Sequence, residues 1–119
     1  MTMPPDVPID VQIIAENGRY VLRTADPAQS LYTYDRDQPG KSNCTAACAL
    51  AWPPLKVSAR AAALNRVIPH WSVIVRPDGV RQWAYDRKPV YLNAHDPEGR
   101  ATGDGADGVW HLLTTFPAR

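Results

Sequence analysis

The strongest constraint on the fold is a degenerate internal repeat. The two halves share a tyrosine, an aspartate and a glycine, and all three pairs have the same offset along the chain: Tyr32 and Tyr91, Asp37 and Asp96, Gly40 and Gly99. We call this offset the repeat offset. An earlier pair, Gly18 and Gly79, has a slightly larger offset, which a two-residue change in one loop explains. Because an isolated hairpin is marginally stable at best, one unit cannot bury its own apolar face. We therefore expect the two units to pair around a pseudo-two-fold axis and share one core.

Each half has the pattern of a β-hairpin followed by a short strand. Residues 9–13 alternate apolar and polar side chains, and Asn17 with Gly18 is typical of a two-residue hairpin turn. The second half repeats this pattern around Asp78 and Gly79. The sequence predicts a mainly β fold of two pseudo-symmetric repeats of short antiparallel strands sharing one core. The expected single domain, 1–119, contains repeat 1 at about 9–55, a linker helix at about 58–67 and repeat 2 at about 71–115.

One or two short helices are expected between the repeats. Residues 44–51 fit about two helical turns capped by Asn43. Pro53 should end that helix, because proline disfavours helical backbone in the residue before it. Residues 58–66 contain the run Ala-Arg-Ala-Ala-Ala-Leu and are the best helix candidate.

Charge and hydropathy argue against two classes of function. The net charge is +1 and the basic residues form no run, so nucleic-acid binding through a basic patch has little support. No apolar run approaches the roughly 18–20 residues of a membrane span. The first residues lack the basic and apolar regions of a signal peptide, so either the protein is not exported or the sequence begins after its signal.

The only two cysteines, Cys44 and Cys48, allow three interpretations. At helical spacing their Cα atoms would lie about 6 Å apart, within disulfide range, and we expect a structural disulfide formed in an oxidising compartment. One alternative is a Cu(I) or Zn site completed by one of the histidines His70, His95 and His111. The other is a redox dithiol, although three residues separate the cysteines instead of the two of thioredoxin-type motifs.

Aromatic side chains are expected to fill the core. Most lie on predicted strands, where alternate positions point inward: Tyr32, Tyr34, Trp52, Trp71, Trp83, Tyr85, Tyr91 and Trp110. Tyr32 and Tyr34 are two residues apart and so share one strand face. A surface cluster that binds a sugar, a quinone-like ring or a peptide is the alternative.

Acidic residues are concentrated in loops that contain glycine or proline: Asp35, Asp37, Asp96, Glu98, Asp104 and Asp107. Asp37 and Asp96 are expected to hold equivalent turns in the two repeats. A calcium site is an alternative, but Arg100 stands where an EF-hand loop needs an oxygen ligand. An enzyme would need Asp37, Asp96 and His95 in a cleft at the repeat junction, and no serine lies in a Gly-x-Ser-x-Gly motif.

Several short motifs point to a known family. Tyr32, Tyr34 and Asp37 have the spacing Tyr-x-aromatic-x-x-Asp. Further matching segments are Lys41 to Cys44, Cys48, Trp52 to Leu55, Gly103 to Gly105 and Gly108 to His111. With these motifs, roughly residues 20–113 resemble a bacterial family of predicted lipoproteins, described as secreted repeats of unknown function. The second repeat departs from the motif at Asn93, where the family has an aromatic residue.

The resemblance implies an exported bacterial protein, often lipid-anchored. We expect a non-enzymatic module of the cell envelope, periplasmic or secreted, that acts by binding or scaffolding. Its expected partner is an envelope protein or a small ligand, with no nucleic acid and no cofactor. The alternatives are a metal-binding or thiol-redox protein using Cys44 and Cys48, and an enzyme with its site at the repeat junction.

Overall fold

A computed structural model describes residues 6–25, 27–97 and 99–117 of the chain. Glu98 and the first five residues, whose composition bears on export, lie outside the described residues. The strands are β1 (Val11–Glu16), β2 (Arg19–Thr24), β3 (Tyr32–Tyr34), β4 (Trp71–Val75), β5 (Arg81–Tyr85), β6 (Lys88–Pro89), β7 (Trp110–Leu112) and β8 (Thr114–Pro117). Helices α1 (Ala47–Ala51) and α2 (Ala59–Leu64) lie between β3 and β4. The strands pair antiparallel, which confirms the mainly β prediction.

Each repeat begins with the predicted hairpin. β1 and β2 join through a two-residue turn in which Asn17 and Gly18 have φ of 50° and 79°, as such turns require. β4 and β5 join through a longer turn, where Gly79 has φ of 83°. A further tight turn joins β5 to β6 through Asp86 and Arg87, with φ of 48° and 67°. No sequence signal marks this last turn, because it contains no glycine.

The last strand of each repeat crosses to the other repeat. β7 pairs with β3 and β8 pairs with β2, so the end of the second repeat completes sheets begun in the first. In return, the chain after α1 extends the sheet of β4, β5 and β6. The Leu55 N–H donates to Val90 O at 2.9 Å, and the Trp83 N–H donates to Leu55 O at 2.9 Å.

Backbone hydrogen bonds place a pseudo-two-fold axis between the repeats. Gly40 N–H donates to Arg87 O at 2.7 Å, and Gly99 N–H donates to Ala28 O at 2.8 Å. The two donors are separated by the repeat offset, and so are the two acceptors. The predicted pairing of pseudo-symmetric repeats is therefore confirmed by matching contacts.

The larger offset of the first glycine pair arises in the connection between the second and third strands of each repeat. Arg23 pairs with Ser30 in the first repeat, and Ala84 pairs with Pro89 in the second. Seven positions separate the first two residues and five separate the second two. The first repeat thus has two additional residues in this loop.

The first helix is shorter than predicted and is capped differently. Ala46 precedes α1 with φ of 52°, and no side chain caps the helix. The prediction that Asn43 caps a helix over 44–51 is wrong, because the Asn43 side chain donates to Arg36 O at 2.7 Å instead. Its backbone N–H is bonded to the Asp37 carboxylate, which holds this segment in a turn.

The end of α1 agrees with the sequence prediction, and α2 lies within the predicted segment 58–66. α1 ends at Ala51, and its C-cap residue, Trp52, stands immediately before Pro53. Ser58 caps α2 by accepting a hydrogen bond from the Ala61 N–H, and Asn65 ends that helix in the left-handed region. None of the helices in the described ranges combines the length and hydropathy of a membrane-spanning segment.

Both apolar clusters draw on both repeats. The larger contains Val11, Leu22, Leu31, Leu55, Ala61, Ile68, Trp71, Trp83, Val90 and Leu113. The smaller contains Tyr32, Cys44, Tyr91 and Trp110 and lies under the repeat motifs. The two repeats therefore share their core, as expected, since neither could bury these side chains alone.

Candidate functional site

The tyrosines and aspartates of the repeat motif pair across the two repeats. The Tyr91 hydroxyl donates to Asp37 Oδ2 at 2.7 Å, and the Tyr32 hydroxyl donates to Asp96 Oδ2. Both tyrosines and Asp96 are buried, whereas Asp37 is half-buried. Each repeat supplies the acceptor for the tyrosine of the other, so the motif ties the two halves together beneath the surface.

The second oxygen of each carboxylate holds a turn in its own repeat. Asp37 Oδ1 accepts the Asn43 N–H at 2.6 Å, and Asp96 Oδ1 accepts the Thr102 N–H at 2.9 Å. The two donors are again separated by the repeat offset. Each aspartate thus makes the same pair of contacts, one within its repeat and one across the axis.

Burial governs the protonation of these groups. Burial, reinforced by the hydrogen bond to Asp96, raises the pKa of Tyr32 well above its ordinary value of 10.0. Burial and the bond to Asp37 raise the pKa of Tyr91 in the same way. Burial also raises the pKa of Asp37, while hydrogen bonds from Tyr91 and the backbone, with the charge of Arg76, oppose that rise. Both tyrosines therefore remain neutral donors in the folded protein.

Arg76 is a buried cation beside this network, with only 2% of its surface exposed. Its Nη1 donates to Ser42 Oγ at 2.9 Å and to Gln82 Oε1 at 3.0 Å, and its Nη2 donates to Cys44 O at 2.6 Å. The Asp78 carboxylate is its ion-pair partner, 3.5 Å from Nε. The guanidinium therefore joins the end of β4 to β5 and to the cysteine segment.

The hydroxyl groups between Arg76 and Asp37 form a chain with one direction. Ser42 Oγ lies 2.6 Å from the Tyr91 hydroxyl oxygen. Because the Tyr91 hydrogen goes to Asp37 and a guanidinium can only donate, Ser42 must donate to Tyr91. Hydrogen bonds thus run from Arg76 through Ser42 and Tyr91 to Asp37, with a cation at one end and a carboxyl group at the other.

An aromatic stack fills the space beside the tyrosines. The rings of Trp52 and Trp110 stack with centroids 3.9 Å apart, and Tyr34 stacks on Trp110 at 4.2 Å. Tyr32 meets Trp52 edge-on at 5.2 Å, and Tyr91 meets Trp110 edge-on at 5.2 Å. The tryptophans occupy equivalent positions in the two repeats, a correspondence that sequence reasoning missed because their spacing falls one position short of the repeat offset.

The other aromatic residues of the predicted core lie in the larger cluster. Trp71 and Trp83 are buried, and Tyr85 packs against Trp71 at 5.2 Å while remaining half-buried. Trp52 is also half-buried, whereas Trp110 is 3% exposed. These aromatic side chains thus pack within the protein.

Gly103 is required by a close approach to the stack. A Cβ atom there would lie 2.6 Å from Trp52 Cη2 and 2.4 Å from the Asn93 side-chain nitrogen. The Gly103 N–H donates to the Tyr32 hydroxyl at 3.2 Å. Asn93, which replaces the motif aromatic in the second repeat, therefore lies where the glycine loop closes over the core.

Cys44 and Cys48 form the predicted disulfide, with Cα atoms 5.2 Å apart. The helical geometry behind that prediction is wrong, because Cys44 precedes α1 and only Cys48 lies in it. Cys44 is fully buried in the smaller cluster. In this form the sulfurs offer no thiolate to a metal ion.

The histidines of the metal alternative lie on the surface. His70 Nδ1 is 2.7 Å from Asp86 Oδ1, and His111 Nε2 is 2.7 Å from Asp35 Oδ2. His95 is also exposed. Over residues 6–25, 27–97 and 99–117, no group of three or more His, Cys, Asp or Glu side chains is arranged to hold a metal ion.

A polar groove runs along β3 on the outside of this network. It consists of two adjoining hollows of about 230 and 290 Å³ that share Thr33, Asp35, Asp86 and Lys88. Further polar lining residues are Tyr34, Asp37, Gln38, Arg87, Tyr85 and His111. We call this surface the β3 groove.

The residues of the enzyme alternative are not gathered in the β3 groove. Asp37 lines it, but Asp96 and His95 do not. Asp96 is 8% exposed and has the Tyr32 hydroxyl and the Thr102 backbone as donors. Asp96 thus acts as an acceptor within the core, whereas Asp37 lies between the core and the groove.

Sequence reasoning missed the buried polar members of the network, Arg76, Ser42 and Gln82. Arg76 precedes Pro-Asp-Gly, a pattern typical of an exposed turn. Gln82 alternates with Trp83 and so predicts a solvent-facing position, yet both faces of β5 are covered here. The sequence carries no local signal for either, because their burial depends on the other repeat.

Comparison with known proteins gives one match per repeat. A family model described as "secreted repeat of unknown function" matches residues 24–56 and 72–114. The matched segments contain both tyrosine–aspartate pairs, both cysteines and both stacked tryptophans. No curated protein and no solved structure matches the chain.

Proposed function

Because the chain belongs to the family of secreted repeats of unknown function, we propose that it is a non-enzymatic, ligand-binding module of the cell envelope. In this proposal it works in the periplasm or outside the cell, and its natural precursor is lipid-anchored. The observation that carries the proposal is the division between a sealed polar core and an open polar groove.

The sealed core supports a structural role for the repeat motifs. Tyr32, Tyr91 and Asp96 are buried, and each has its hydrogen-bond partner inside the protein. Arg76 donates from Nη1 and Nη2 to internal oxygens, and its Nε has only the ion pair with Asp78. Buried groups with satisfied bonds rigidify a fold, and they leave the exposed surface free for recognition.

The β3 groove has the character of a recognition surface for a polar, uncharged ligand. Asp35 and Asp86 are each bonded to a histidine, while Arg87 and Lys88 bring two cations to the same surface. Carboxylates and cations are thus nearly balanced, which favours neither an anion nor a cation. Hydroxyl, amide and carboxylate groups beside a tyrosine ring suit the hydroxyl groups and apolar faces of a sugar.

The backbone beside the groove is held in a tight turn. Asp86 and Arg87 have φ of 48° and 67°, as the two-residue turn between β5 and β6 requires. The Asp86 N–H donates to His70 O at 2.7 Å, which ties this turn to the residue before β4. The turn therefore holds the side chains at this end of the groove in position.

Nuclear magnetic resonance titration tests the binding proposal. The probes are soluble oligosaccharides of N-acetylglucosamine, with and without N-acetylmuramic acid, added to isotopically labelled protein. We expect amide shifts confined to Thr33, Asp35 and the turn at Asp86 and Arg87. Lys88→Ala should weaken binding about tenfold, as loss of a ligand hydrogen bond does.

The matched control is Lys56→Ala, since Lys56 is also exposed but lies outside the β3 groove. It should leave the affinity unchanged. No shift with any sugar at millimolar concentration, or shifts away from the groove, would contradict a glycan-binding groove.

We further propose that the module has no cofactor and no metal. The Cys44–Cys48 disulfide supports this, because it removes the thiolates on which the Cu(I) or Zn alternative depends. Native intact-mass spectrometry of protein purified without reductant or chelator is the test. We expect the mass of the disulfide form without an adduct, and a reduced chain carrying one metal atom would overturn the proposal.

A further inference from the structure

β4 is an open sheet edge. It is the outer strand of its sheet and, within the described residues, pairs only with β5. Arg76, just after β4, turns its backbone toward β5, since its N–H donates to Val80 O at 2.9 Å. Backbone groups alternate along an antiparallel strand, so the N–H and C=O groups of Val73 and Val75 point away from the sheet. In the described part of the chain, no backbone group accepts from either N–H.

Two exposed side chains of β4 are valines that lie on one face, whereas the exposed Ser72 lies on the opposite face. Val73 is 36% exposed and Val75 is 69% exposed. They stand on the same face as Trp71, opposite Trp83 and Arg81 of β5. A groove of about 190 Å³ lies beside this face, and Val67 on its rim is 97% exposed.

The edge lacks the features that normally prevent strand pairing. Between Trp71 and Val75 there is no charge, no proline and no bulge. By contrast, the outer strand β1 carries Glu16, and the Gln12 side chain bonds back to the neighbouring strand at Thr24 O. The difference indicates that β4 is an edge adapted to accept another strand.

We propose that β4 pairs antiparallel with β4 of a second copy of this chain, with Val73 on the two-fold axis. The Val73 N–H of each copy would then donate to the Val73 carbonyl oxygen of the other copy. Val75 N–H would donate to the outward carbonyl of Trp71 in the other copy. Trp71 N–H is already bonded to Ile68 O at 3.1 Å, so only its carbonyl is needed. The two sheets would become one.

Self-complementarity of the uncharged β4 edge favours a second copy as the occupant. Along the pairing edge, each exposed valine faces an apolar side chain, and no two like charges meet. A strand edge this short covers less area than a standard interface, so we expect a dimer of micromolar affinity. This pairing is independent of the proposed ligand, because β4 does not line the β3 groove.

Sedimentation equilibrium of the full chain tests the association. We expect a reversible monomer–dimer equilibrium in the micromolar range. Val73→Lys would place two ammonium groups face to face and should raise the dissociation constant more than about tenfold. Leu50→Lys is the control, because Leu50 is 79% exposed and lies on α1. Circular dichroism of each variant establishes that it is folded.

Cysteine cross-linking tests the register. Residues opposite each other at a hydrogen-bonded antiparallel pair have Cα atoms about 5.5 Å apart, which suits a disulfide. Val73→Cys should therefore form a covalent dimer under mild oxidation, at least about tenfold faster than Val75→Cys, which faces Trp71. A monomer at every concentration, or equal cross-linking of the two variants, would overturn the proposal. A monomer whose β4 amide signals shift on adding an extended apolar peptide would assign the edge to a different protein.

Discussion

The backbone N–H of Tyr32 donates to the carbonyl oxygen of Tyr91, and the backbone N–H of Tyr91 donates to the carbonyl oxygen of Tyr32, both at 2.8 Å. The two residues come from different repeats, and each hydroxyl continues to the aspartate of the opposite repeat. This pair is therefore the centre of the pseudo-two-fold arrangement. Neither repeat contains a complete tyrosine–aspartate unit of its own, so the motif stabilises the fold only when both halves are present.

The tyrosine pair should make the protein sensitive to alkaline pH. Burial raises the pKa of Tyr32 and Tyr91, so the unfolded chain loses these protons near pH 10.0 while the folded protein keeps them. Their contribution to the free energy of unfolding is therefore intact below pH 10.0 and falls as pH rises toward the folded pKa values. Urea denaturation at pH values on either side of 10.0 measures how steeply the free energy of unfolding falls with pH.

Tyr32→Phe and Tyr91→Phe should each flatten this alkaline slope, and the double variant should flatten it most. At neutral pH each should lower the free energy of unfolding by about 1–3 kcal/mol, because the carboxyl group of Asp96 or Asp37 loses its tyrosine donor. An alkaline slope in the double variant equal to that of the wild type would show that other groups cause it.

Removal of the buried guanidinium should be among the most costly substitutions. Arg76→Met leaves acceptors on Ser42, Gln82 and Cys44 without their donor, and we expect a loss of about 3 kcal/mol. Arg76→Lys should be intermediate, since one ammonium group cannot span all these oxygens. Arg81→Met, an exposed arginine on β5, is the control and should cost less than about 0.5 kcal/mol. Equal stability of the Arg76→Met and Arg81→Met variants in chemical denaturation would contradict the network.

A methyl group at Gly103 should clash with the aromatic stack. We expect Gly103→Ala to lower the free energy of unfolding by about 2 kcal/mol, because its Cβ would overlap both Trp52 and the Asn93 side-chain nitrogen. The Trp52→Phe variant lacks the tryptophan atom that clashes. Gly103→Ala should therefore cost less in the Trp52→Phe variant than in the wild type, and a double-mutant cycle measures the difference. Gly105→Ala is the comparison: its Cβ meets nothing within 4 Å, but its φ of +81° should cost about 1 kcal/mol. A Gly103→Ala penalty that is unchanged by Trp52→Phe would exclude this clash as the cause.

The disulfide should contribute modestly to stability. It closes a loop of five residues, for which the chain-entropy model gives about 2 kcal/mol. The variant Cys44→Ala with Cys48→Ala should therefore fold, since the hydrogen bonds and strands between the repeats remain. Thermal unfolding followed by circular dichroism is the measurement. Loss of the cooperative transition would instead make the disulfide essential to the fold.

Local chemistry explains which elements the sequence predicts well. Asn17 with Gly18 specifies a tight turn by itself, and Pro53 ends α1 because its ring restricts the residue before it. The turn at Asp86 and Arg87 was not predicted, because neither residue favours positive φ unless the surrounding structure holds it there. The predicted Asn43 cap is wrong because its side chain bonds to Arg36 O in the preceding turn and caps no helix.

Spacing and turn chemistry are properties of neighbouring residues, so the repeat, its hairpins, the cysteine pair and the positions of Tyr32, Asp37, Tyr91 and Asp96 are readable from the sequence. The folded protein is needed to see that each tyrosine bonds to the aspartate of the other repeat, that Arg76 is buried, and that Trp52 stacks on Trp110. These contacts join residues far apart in the chain, and they form only when the strands of one repeat complete the sheets of the other.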